Sequence, residues 1–424
     1  MSTLSSQVDA INSLVTNLRD LGIVHLNADQ KTIPGWRNIS VQGKELLNFA
    51  CCNYLGLETD IRLIQAAKEA LDRYGVQFYS VRAYVSLPPY QELESLFSKM
   101  YGKPAIIMPS TALGHWATIP VIVGENDAVI LDHQVHATVH SIARMVKANG
   151  IHIEMIRHSR MDYLENRIQK LSQQFKKVWY MADGVYSMYG DIAPVTEIHD
   201  LLDRYEQFHL YIDDAHGMSW AGKNGCGMVI ERAPFHDKMI LMTSLSKAFG
   251  TMGGLAVFPN DPVKNLVRNV GSTLIFTGPI QPALLGASLE SAKIHLSDEI
   301  YFLQGALRER IDFFMNKCIE LDLPILGMGE SPVFYLATSK KQASALLSKK
   351  LIEAGFLTAI AVFPSVPHNR SGLRLLPTLN HSFEDITALL ETIAMLLPEV
   401  LQEVGLSKEE LYKTFNLSLS KESI

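Results

Sequence analysis

The sequence contains only four cysteines among 424 residues, namely Cys51, Cys52, Cys226 and Cys318. They form no Cys-x-x-Cys pair and no zinc-type spacing, and the adjacent Cys51 and Cys52 are poorly placed to bridge each other. A disulfide-stabilised secreted fold and a metal site are therefore not expected. Reduced thiols of this kind are typical of a cytoplasmic protein.

Excess positive charge is also missing, because 38 Lys and Arg stand against 44 Asp and Glu, for a net charge of −6. No basic stretch or basic–aromatic stripe occurs, so nucleic acid is not an expected partner. The N-terminus lacks the apolar core of a signal peptide.

One long uncharged run does occur, since residues 105–124 contain no Asp, Glu, Lys or Arg. A run of this length can span a bilayer. However, Pro109, His115 and Pro120 interrupt it. We therefore expect a short buried strand, a turn and a buried helix here, and no transmembrane segment.

Short apolar runs alternate with helical patterns between about residues 60 and 285. The runs are β-branched or aliphatic and bounded by polar turns, as are strands buried on both faces of a parallel sheet. This alternation predicts a doubly wound α/β domain. The predicted strands are 105–108, 127–132, 152–156, 177–183, 209–214, 239–244 and 254–258, and the predicted helices include 60–74, 90–101, 136–149 and 195–206.

The pattern changes near residue 280, where a long helical stretch over 280–320 precedes one strand-like run and further helical runs. We expect an N-terminal helix with short strands over 1–57 and a large α/β domain over 58–285. A smaller α+β domain over 286–404 and a surface helix with a loose tail over 405–424 complete the predicted organisation.

Two segments carry the strongest chemical signal, HLYIDDAHGMSWAGKNGCGM (209–228) and MTSLSKAFGTMGG (242–254). In the first, a buried strand ends in two carboxylates followed by His216. In the second, an apolar strand leads into Ser244, Ser246 and Lys247 and then a glycine-rich turn. Proteins of the α/β class place their ligands at the ends of such strands.

Pyridoxal phosphate needs an amine for its aldehyde, an acid partner for its ring nitrogen and donors for its phosphate. Lys247 is the predicted amine, and Asp213, rather than Asp214, is the predicted partner of the ring nitrogen. His216 can donate to the ring hydroxyl, and the two serines beside Lys247 can donate to the phosphate. A lone lysine near serines is usually a surface lysine, but the order and spacing of both motifs together favour the cofactor.

The chain resembles the α-oxoamine synthase family of fold-type I pyridoxal-phosphate enzymes over roughly residues 38 to 395. The stretches VYSMYGDIAP and IFTGPIQP are most similar to bacterial serine palmitoyltransferases. The resemblance implies the fold-type I architecture, with a mostly parallel seven-stranded sheet in the large domain and a smaller α+β domain. The matching stretches are NFACCNYLGL (48–57), VILDHQVHATVH (129–140), ADGVYSMYGDIAPVTEI (182–198), LIFTGPIQP (274–282) and GLRLLPTLNHSFEDI (372–386).

The resemblance also implies roles for cofactor-binding residues outside the two motifs. His136 is expected to stack on the cofactor ring, and Ser187 to contact the cofactor or its surroundings. Ser110 and Thr111 belong to the phosphate turn. Thr277 is expected to reach the phosphate from the other subunit of a homodimer with shared active sites.

Three residues are implied to bind substrate. Arg374 is expected to pair with the carboxylate of the amino acid, since a guanidinium fork binds a carboxylate in a bidentate manner that lysine cannot match. A structural ion pair is the simpler alternative for this residue. Asn53 and Arg82 are the weaker candidates, and the flanks of Arg82 depart from the family pattern.

The implied reaction condenses a small amino acid with an acyl thioester, carried by coenzyme A or a carrier protein, and releases carbon dioxide and an α-amino ketone. Two alternatives stay open. One is a different fold-type I reaction, such as that of an aminotransferase or a lyase. The other is a non-catalytic partner subunit, which we would expect to have lost Lys247.

Several positions depart from the family pattern. In the phosphate turn MPSTALGHW (108–116), Thr111 stands where glycine is expected and His115 where asparagine is expected. Tyr90 replaces an expected histidine and Asp183 an expected glutamate. Because these departures fall where the substrates should lie, we expect substrates that differ from those of the housekeeping members.

Overall fold

The computed structural model describes residues 4–30, 36–327 and 329–417. The α-helices, in chain order, are α1 (Leu4–Asp20), α2 (Ile61–Tyr74), α3 (Pro88–Tyr101), α4 (Thr111–Ile122), α5 (Ala137–Ala148), α6 (Met161–Leu171), α7 (Val195–Arg204), α8 (Met228–Arg232), α9 (Asp261–Val270), α10 (Ser272–Ile275), α11 (Pro282–His295), α12 (Glu299–Glu320), α13 (Lys341–Glu353), α14 (Phe383–Glu403) and α15 (Lys408–Phe415). The strands are β1 (Asn38–Val41), β2 (Lys44–Asn48), β3 (Ala105–Met108), β4 (Asp127–Asp132), β5 (His152–Ile156), β6 (Lys177–Asp183), β7 (Phe208–Asp213), β8 (Met239–Ser244), β9 (Gly254–Val257), β10 (Ile325–Leu326), β11 (Phe334–Ser339), β12 (Phe356–Leu357), β13 (Ala359–Ala361) and β14 (Ser371–Leu375).

The described residues form two compact units. The larger unit comprises residues 55–187 and 192–305. The smaller unit comprises the described residues within 1–54, 188–191 and 306–424. The predicted domain boundaries near residues 57, 285 and 404 stay predictions.

The larger unit is built on a seven-stranded sheet in the order β3-β9-β8-β7-β6-β4-β5. Neighbouring strands from β8 to β5 pair in parallel, and β9 pairs antiparallel with both β3 and β8. The predicted mostly parallel seven-stranded sheet is therefore confirmed.

Both faces of this sheet are buried, which explains its continuous apolar strands. In β4, Ala128 and Ile130 join one hydrophobic cluster while Val129 and Leu131 join the other. Successive side chains of a strand point to opposite faces, so each face receives its own apolar set. Helices pack on both sides, as expected for a doubly wound sheet.

Two details of the helices differ from expectation. Helix α6 was not among the predicted helices, nor were α8, α9 and α10, and the single helical stretch expected over 280–320 is two helices, α11 and α12, separated at residues 296–298. The Ser297 hydroxyl accepts a hydrogen bond from the Glu299 backbone N–H at 3.3 Å, so the side chain caps the start of α12.

The uncharged stretch over 105–124 forms β3 and α4, as predicted, with Ala105 to Met108 fully buried. Within the described ranges, no helix combines the length and apolar character needed to cross a membrane.

The smaller unit contains two sheets. One joins the hairpin β1–β2 to β12, and the other has the antiparallel order β10-β11-β14-β13. The hairpin turns at Gln42 and Gly43, whose φ angles are 52° and 77°. Positive φ at both central residues is the requirement of the tight turn that matches strand twist. Helix α15 buries Leu411, Tyr412 and Phe415, and residues 418–424 of the predicted tail lie outside the described residues.

Candidate active site

The parallel strands of the large sheet end in polar side chains. Asp132 ends β4, Asp183 ends β6, Asp213 ends β7 and Ser244 ends β8. Asp183 and Asp213 are paired in register across β6 and β7. Because parallel strands place their carboxyl ends at one edge, three carboxylates converge where α/β proteins bind ligands.

A cleft of about 330 Å³ lies at this edge, within the larger unit. It brings together five residues that the sequence predicted, Thr111, His136, Asp213, His216 and Lys247. The remaining lining residues are Ala112, His115, Thr138, Asp183, Val185 and Ala215.

Lys247 lies in the turn between β8 and β9. Hydrogen bonds between residues of this turn hold the turn closed. The Ser246 hydroxyl donates to the Gly253 carbonyl at 3.3 Å and accepts from the Gly253 N–H at 3.1 Å. Gly250 has φ of 81°, and a Cβ there would lie 2.7 Å from the Leu57 side chain. The turn is thus a fixed support that presents Lys247 to the cleft.

Asp213 is held at both carboxylate oxygens. Its Oδ1 accepts the Ala215 N–H at 2.9 Å, and its Oδ2 lies 2.9 Å from His115 Nε2. Burial would raise the pKa of Asp213, but the neighbouring His115, Lys247 and His136 outweigh burial and lower the pKa to about 2. The cleft therefore contains a permanently ionised carboxylate, which suits a partner for a protonated ring nitrogen.

Asp214 has the opposite environment. It is fully buried and accepts a hydrogen bond from the Val229 N–H at 3.1 Å. A Cβ at Gly184, Gly217 or Gly227 would come within 2.4 Å of its carboxylate oxygens, so these glycines enclose it. Burial raises the pKa of Asp214 to about 8. It does not line the cleft, and we infer a structural role.

His136 caps α5 and faces the cleft beside Asp183. Its backbone N–H donates to Asp183 Oδ1 at 3.0 Å, and its ring Nδ1 lies 2.7 Å from the Thr138 hydroxyl. Desolvation lowers the pKa of His136, which favours a neutral ring. Burial and the charge of Asp213 raise the pKa of Asp183 well above its ordinary range.

Helix α4 begins at the cleft. Ser110 is its N-cap and accepts a hydrogen bond from the Leu113 N–H at 3.2 Å, while the Thr111 hydroxyl donates to the Thr243 carbonyl at 3.2 Å. The amides of Thr111 and Ala112 precede the hydrogen-bond ladder of the helix and are available to an anion. Because Thr111 has helical geometry, this position does not require the glycine that the family pattern predicts.

Five predicted cofactor residues do not line this cleft, and the first is Ser110, the N-cap of α4. The Ser244 hydroxyl accepts the Ser246 N–H at 3.1 Å, so both serines stabilise the turn before Lys247. Thr277 donates to the Thr273 carbonyl at 2.6 Å and lines a separate cavity with Arg82. Ser187 does not line the cleft either, and its role stays a prediction.

Arg82 is committed to protein contacts within the larger unit. Its Nη1 lies 2.9 Å from Glu94 Oε1, and its guanidinium stacks 3.7 Å above the Tyr90 ring. Arg268 also reaches Glu94, at 3.3 Å. These contacts support a structural role for Arg82, and its predicted substrate role stays a prediction.

Arg374 and Asn53 belong to the smaller unit. Arg374 Nη2 lies 4.0 Å from the Cys52 sulfur. Its Nε is buried and has no hydrogen-bond partner among the described residues. A buried guanidinium nitrogen without an acceptor is costly unless a ligand satisfies it. This feature is compatible with the predicted carboxylate-binding role of Arg374, and that of Asn53 stays a prediction.

The sequence did not identify His115 and Asp183 as site residues, although both were noted as departures. Thr111 and His115 are four residues apart on one helix, so they share a face. That spacing was the available signal for His115. Asp183 required the sheet order, which places β6 beside β7.

Comparison with known proteins shows that the sequence model of the family "Aminotransferase class I and II" matches residues 44–393. The 8-amino-7-oxononanoate synthase of Fervidobacterium nodosum is 32% identical over 377 residues, which cover 87% of this chain and 93% of that protein. The protein of the same name from Coprothermobacter proteolyticus is 32% identical, with 82% and 87% covered.

Solved structures of serine palmitoyltransferases share the fold. That from S. paucimobilis has a TM-score of 0.85 at 22% identity and covers 95% of this chain and 100% of its own. That from Sphingomonas wittichii has a TM-score of 0.84 at 22% identity, with 95% and 99% covered. At this identity, the likeness establishes the fold.

Proposed function

Because the chain belongs to the aminotransferase class I and II family, and within it to the α-oxoamine synthases, we propose that it is a pyridoxal-phosphate-dependent acyltransferase. It condenses a small amino acid with an acyl thioester and releases carbon dioxide and an α-amino ketone. The observation that carries the proposal is the convergence of Lys247, Asp213, His136 and His216 on one cleft at the strand ends.

The donors and acceptors of the cleft fit pyridoxal phosphate. Asp213 is an ionised acceptor for a ring N–H, and His136 offers a flat ring. The start of α4 offers backbone amides and the positive end of a helix dipole for the phosphate. Lys247 is the one lysine among the residues that line the cleft. The chain thus supplies each group that the cofactor requires.

When bound, pyridoxal phosphate supplies an aldehyde and a ring that accepts the electron pair of the substrate carbanion. Lys247 Nζ would hold the cofactor aldehyde and, when free, would accept the α-proton as a general base. Asp213 would keep a proton on the ring nitrogen, which favours uptake of that electron pair. His136 would lie against the ring face and exclude water from it.

We also propose that Arg374 binds the amino acid carboxylate and that two copies of the chain form a homodimer. The dimer proposal is supported by apolar side chains that the single chain leaves exposed in the larger unit. Val76 is 78%, Tyr84 81% and Phe276 80% exposed. Exposed apolar groups of this size are typical of interaction surfaces. Phe276 directly precedes Thr277, the residue predicted to reach the partner's cofactor.

The decisive experiment is reduction of the cofactor-loaded protein with borohydride, followed by digestion and peptide mass analysis. We expect the cofactor mass on the peptide that contains Lys247, and none in a Lys247→Arg control. The absence of that mass from the wild-type protein would overturn the proposal.

A second measurement tests the reaction type. Release of labelled carbon dioxide from carboxyl-labelled amino acids is expected only when an acyl thioester is also present. An aminotransferase would instead convert its cofactor to the amine form with the amino acid alone. That result would contradict the condensation.

A further inference from the structure

A buried hydrogen-bonded chain joins Asp213 to His115, which also lines the cleft, and then to Tyr211, which does not. His115 Nε2 lies 2.9 Å from Asp213 Oδ2, and His115 Nδ1 lies 2.7 Å from the hydroxyl of Tyr211. All three residues are buried, and the side chains of His115 and Asp213 are 1% and 6% exposed. A buried histidine with both ring nitrogens engaged is a specific arrangement, because each unpaired nitrogen would cost free energy.

The direction of these hydrogen bonds can be assigned from the network. Burial raises the pKa of Tyr211 well above its ordinary value, so the phenol keeps its proton. Because the ionised carboxylate of Asp213 can only accept, His115 Nε2 carries a proton and donates it to Asp213, while Nδ1 shares a hydrogen bond with the Tyr211 hydroxyl. In this chain of hydrogen bonds, His115 is thus the donor that faces the Asp213 carboxylate.

This donor holds the carboxylate oxygen that the backbone does not contact. Asp213 Oδ1 accepts the Ala215 N–H at 2.9 Å, and Oδ2 accepts the His115 proton. The carboxylate can neither rotate nor retreat without losing a hydrogen bond in a low-dielectric environment. Its remaining lone pairs are therefore held in a fixed direction.

We propose that His115 is a positioning residue that orients Asp213 toward the ring nitrogen of the cofactor and keeps that nitrogen protonated. The inference rests on the proposed function. It also gives a physical meaning to a departure from the family pattern, since the family places asparagine at this position. Nε2 of histidine lies one bond farther from the backbone than the amide nitrogen of asparagine, so an asparagine here would not place a donor at the same point beside Asp213.

The test uses three variants. His115→Gln carries an amide nitrogen near the position of Nε2 and can still donate to Asp213, whereas His115→Phe fills the space without a donor. Tyr211→Phe removes the hydrogen bond between Tyr211 and His115 and leaves His115 in place. This variant tests the inference if His115→Phe does not fold. Folding is checked by circular dichroism before each measurement.

The readouts are the dissociation constant of pyridoxal phosphate and the ¹⁵N chemical shift of a ring-labelled cofactor. For His115→Phe we expect affinity to fall roughly tenfold to a hundredfold, as for loss of a hydrogen bond to a charged group. We also expect the ring nitrogen signal to move toward that of an unprotonated pyridine. His115→Gln should stay within about threefold of wild type, and Tyr211→Phe should lie between the two.

A purely structural role predicts a lower melting temperature with an unchanged nitrogen signal, and that result would overturn the inference. A folded His115→Gln variant that binds the cofactor no more tightly than His115→Phe would also overturn the inference. If the wild-type protein loads cofactor on Lys247 while His115→Phe behaves as wild type, only this inference is wrong. If the wild-type protein binds no cofactor, the proposed function fails too.

Discussion

Two adjacent carboxylates at the end of β7 show how strongly local environment decides chemistry. Asp213 lines the cleft, and its pKa is lowered to about 2, whereas glycines enclose Asp214, and burial raises its pKa to about 8. The two residues are chemically identical and consecutive. Because successive side chains leave the backbone in different directions, one faces cationic neighbours and the other faces a dry interior.

The raised pKa of Asp214 predicts a specific pH dependence of stability. The folded chain holds this proton up to about pH 8, whereas an unfolded aspartate releases it near pH 4, so stability falls as the pH rises between these values. Asp214→Asn carries no such proton. We expect the free energy of unfolding of the variant, relative to wild type, to rise by up to about 5 kcal/mol between pH 4.5 and 8.5.

Chemical denaturation across that pH range measures the difference. Asp60→Asn is the control, because hydrogen bonds from Arg62 lower the pKa of Asp60 and its titration is complete below this range. A difference between Asp214→Asn and wild type that does not change with pH would contradict the assignment.

Substitution of the two arginines predicted to bind substrate should have different effects, one on stability and the other on KM. Arg82 is paired with Glu94 and stacked on Tyr90, so Arg82→Ala should cost about 3 kcal/mol of stability by leaving Glu94 without this partner. Arg374→Lys should instead raise KM for the amino acid roughly tenfold with little loss of stability, because lysine cannot bind a carboxylate in a bidentate manner.

Thermal unfolding and steady-state kinetics of both variants distinguish these effects. An unchanged KM in Arg374→Lys would contradict the substrate role of Arg374. A raised KM in Arg82→Ala without loss of stability would contradict the structural role of Arg82.

At the scale of secondary structure, the four-residue strand β9 connects two parts of the site. It pairs with β3 on one side and β8 on the other, and so joins the start of α4 to the turn that bears Lys247. Gly254 faces both Met108 and Ser244 in register. The phosphate end and the lysine end of the cleft are therefore coupled through one backbone position.

Gly254 permits a close approach that any side chain would prevent. A Cβ there would lie 2.7 Å from the Thr111 backbone nitrogen, so Gly254→Ala should displace the start of α4 and weaken cofactor binding roughly tenfold or more. Gly305→Ala is the control, since Gly305 lies in helix α12 with nothing within 4 Å of its added Cβ. Alanine there should raise stability by about 0.5–1 kcal/mol and leave affinity unchanged.

Equilibrium titration with pyridoxal phosphate measures both variants. Unchanged affinity in a folded Gly254→Ala protein would show that the start of α4 does not hold the phosphate.

At the scale of the whole molecule, the sequence predicted the fold well because six strands of the large sheet are buried almost throughout and appear as apolar runs. The edge strand β5 is partly exposed and contains His152 and Glu154. All seven strands were recognised. Helix α6 was not, because it buries only Leu164, Ile168 and Leu171 in an otherwise polar segment. The break between α11 and α12 depends on a side-chain cap that periodicity alone does not reveal.

The site was predicted where the residues follow strand ends in the sequence. Lys247, Asp213 and His216 were predicted because consecutive positions carry the signal, and all three line one cleft. Asp183 joins them only through the order of strands in the sheet, which local patterns do not encode. For His115, the four-residue spacing from Thr111 on α4 was the only local signal. The predicted substrate roles of Arg374 and Asn53 followed only from the family resemblance.

The proposed homodimer with shared sites can be tested by subunit mixing. Lys247→Ala and Thr277→Glu should each inactivate the homodimer strongly, the second because a carboxylate repels the phosphate. A mixed dimer contains one site with both defects and one with neither. Co-expression should therefore restore up to about half of the wild-type activity per mixed dimer, as measured on dimers purified through two different tags. If no activity returns in verified mixed dimers, the sites are not shared in this way.

The antiparallel strand between β3 and β8 also has a consequence for biosynthesis. A ribosome that has delivered residues 105–122 has made the helix proposed to bind the phosphate, but nothing yet anchors it beside the turn that bears Lys247. The anchoring strand, Gly254–Val257, is the last of the seven to be translated. If the proposed function holds, cofactor binding is therefore expected late in synthesis, because a chain that ends before this strand lacks that anchor.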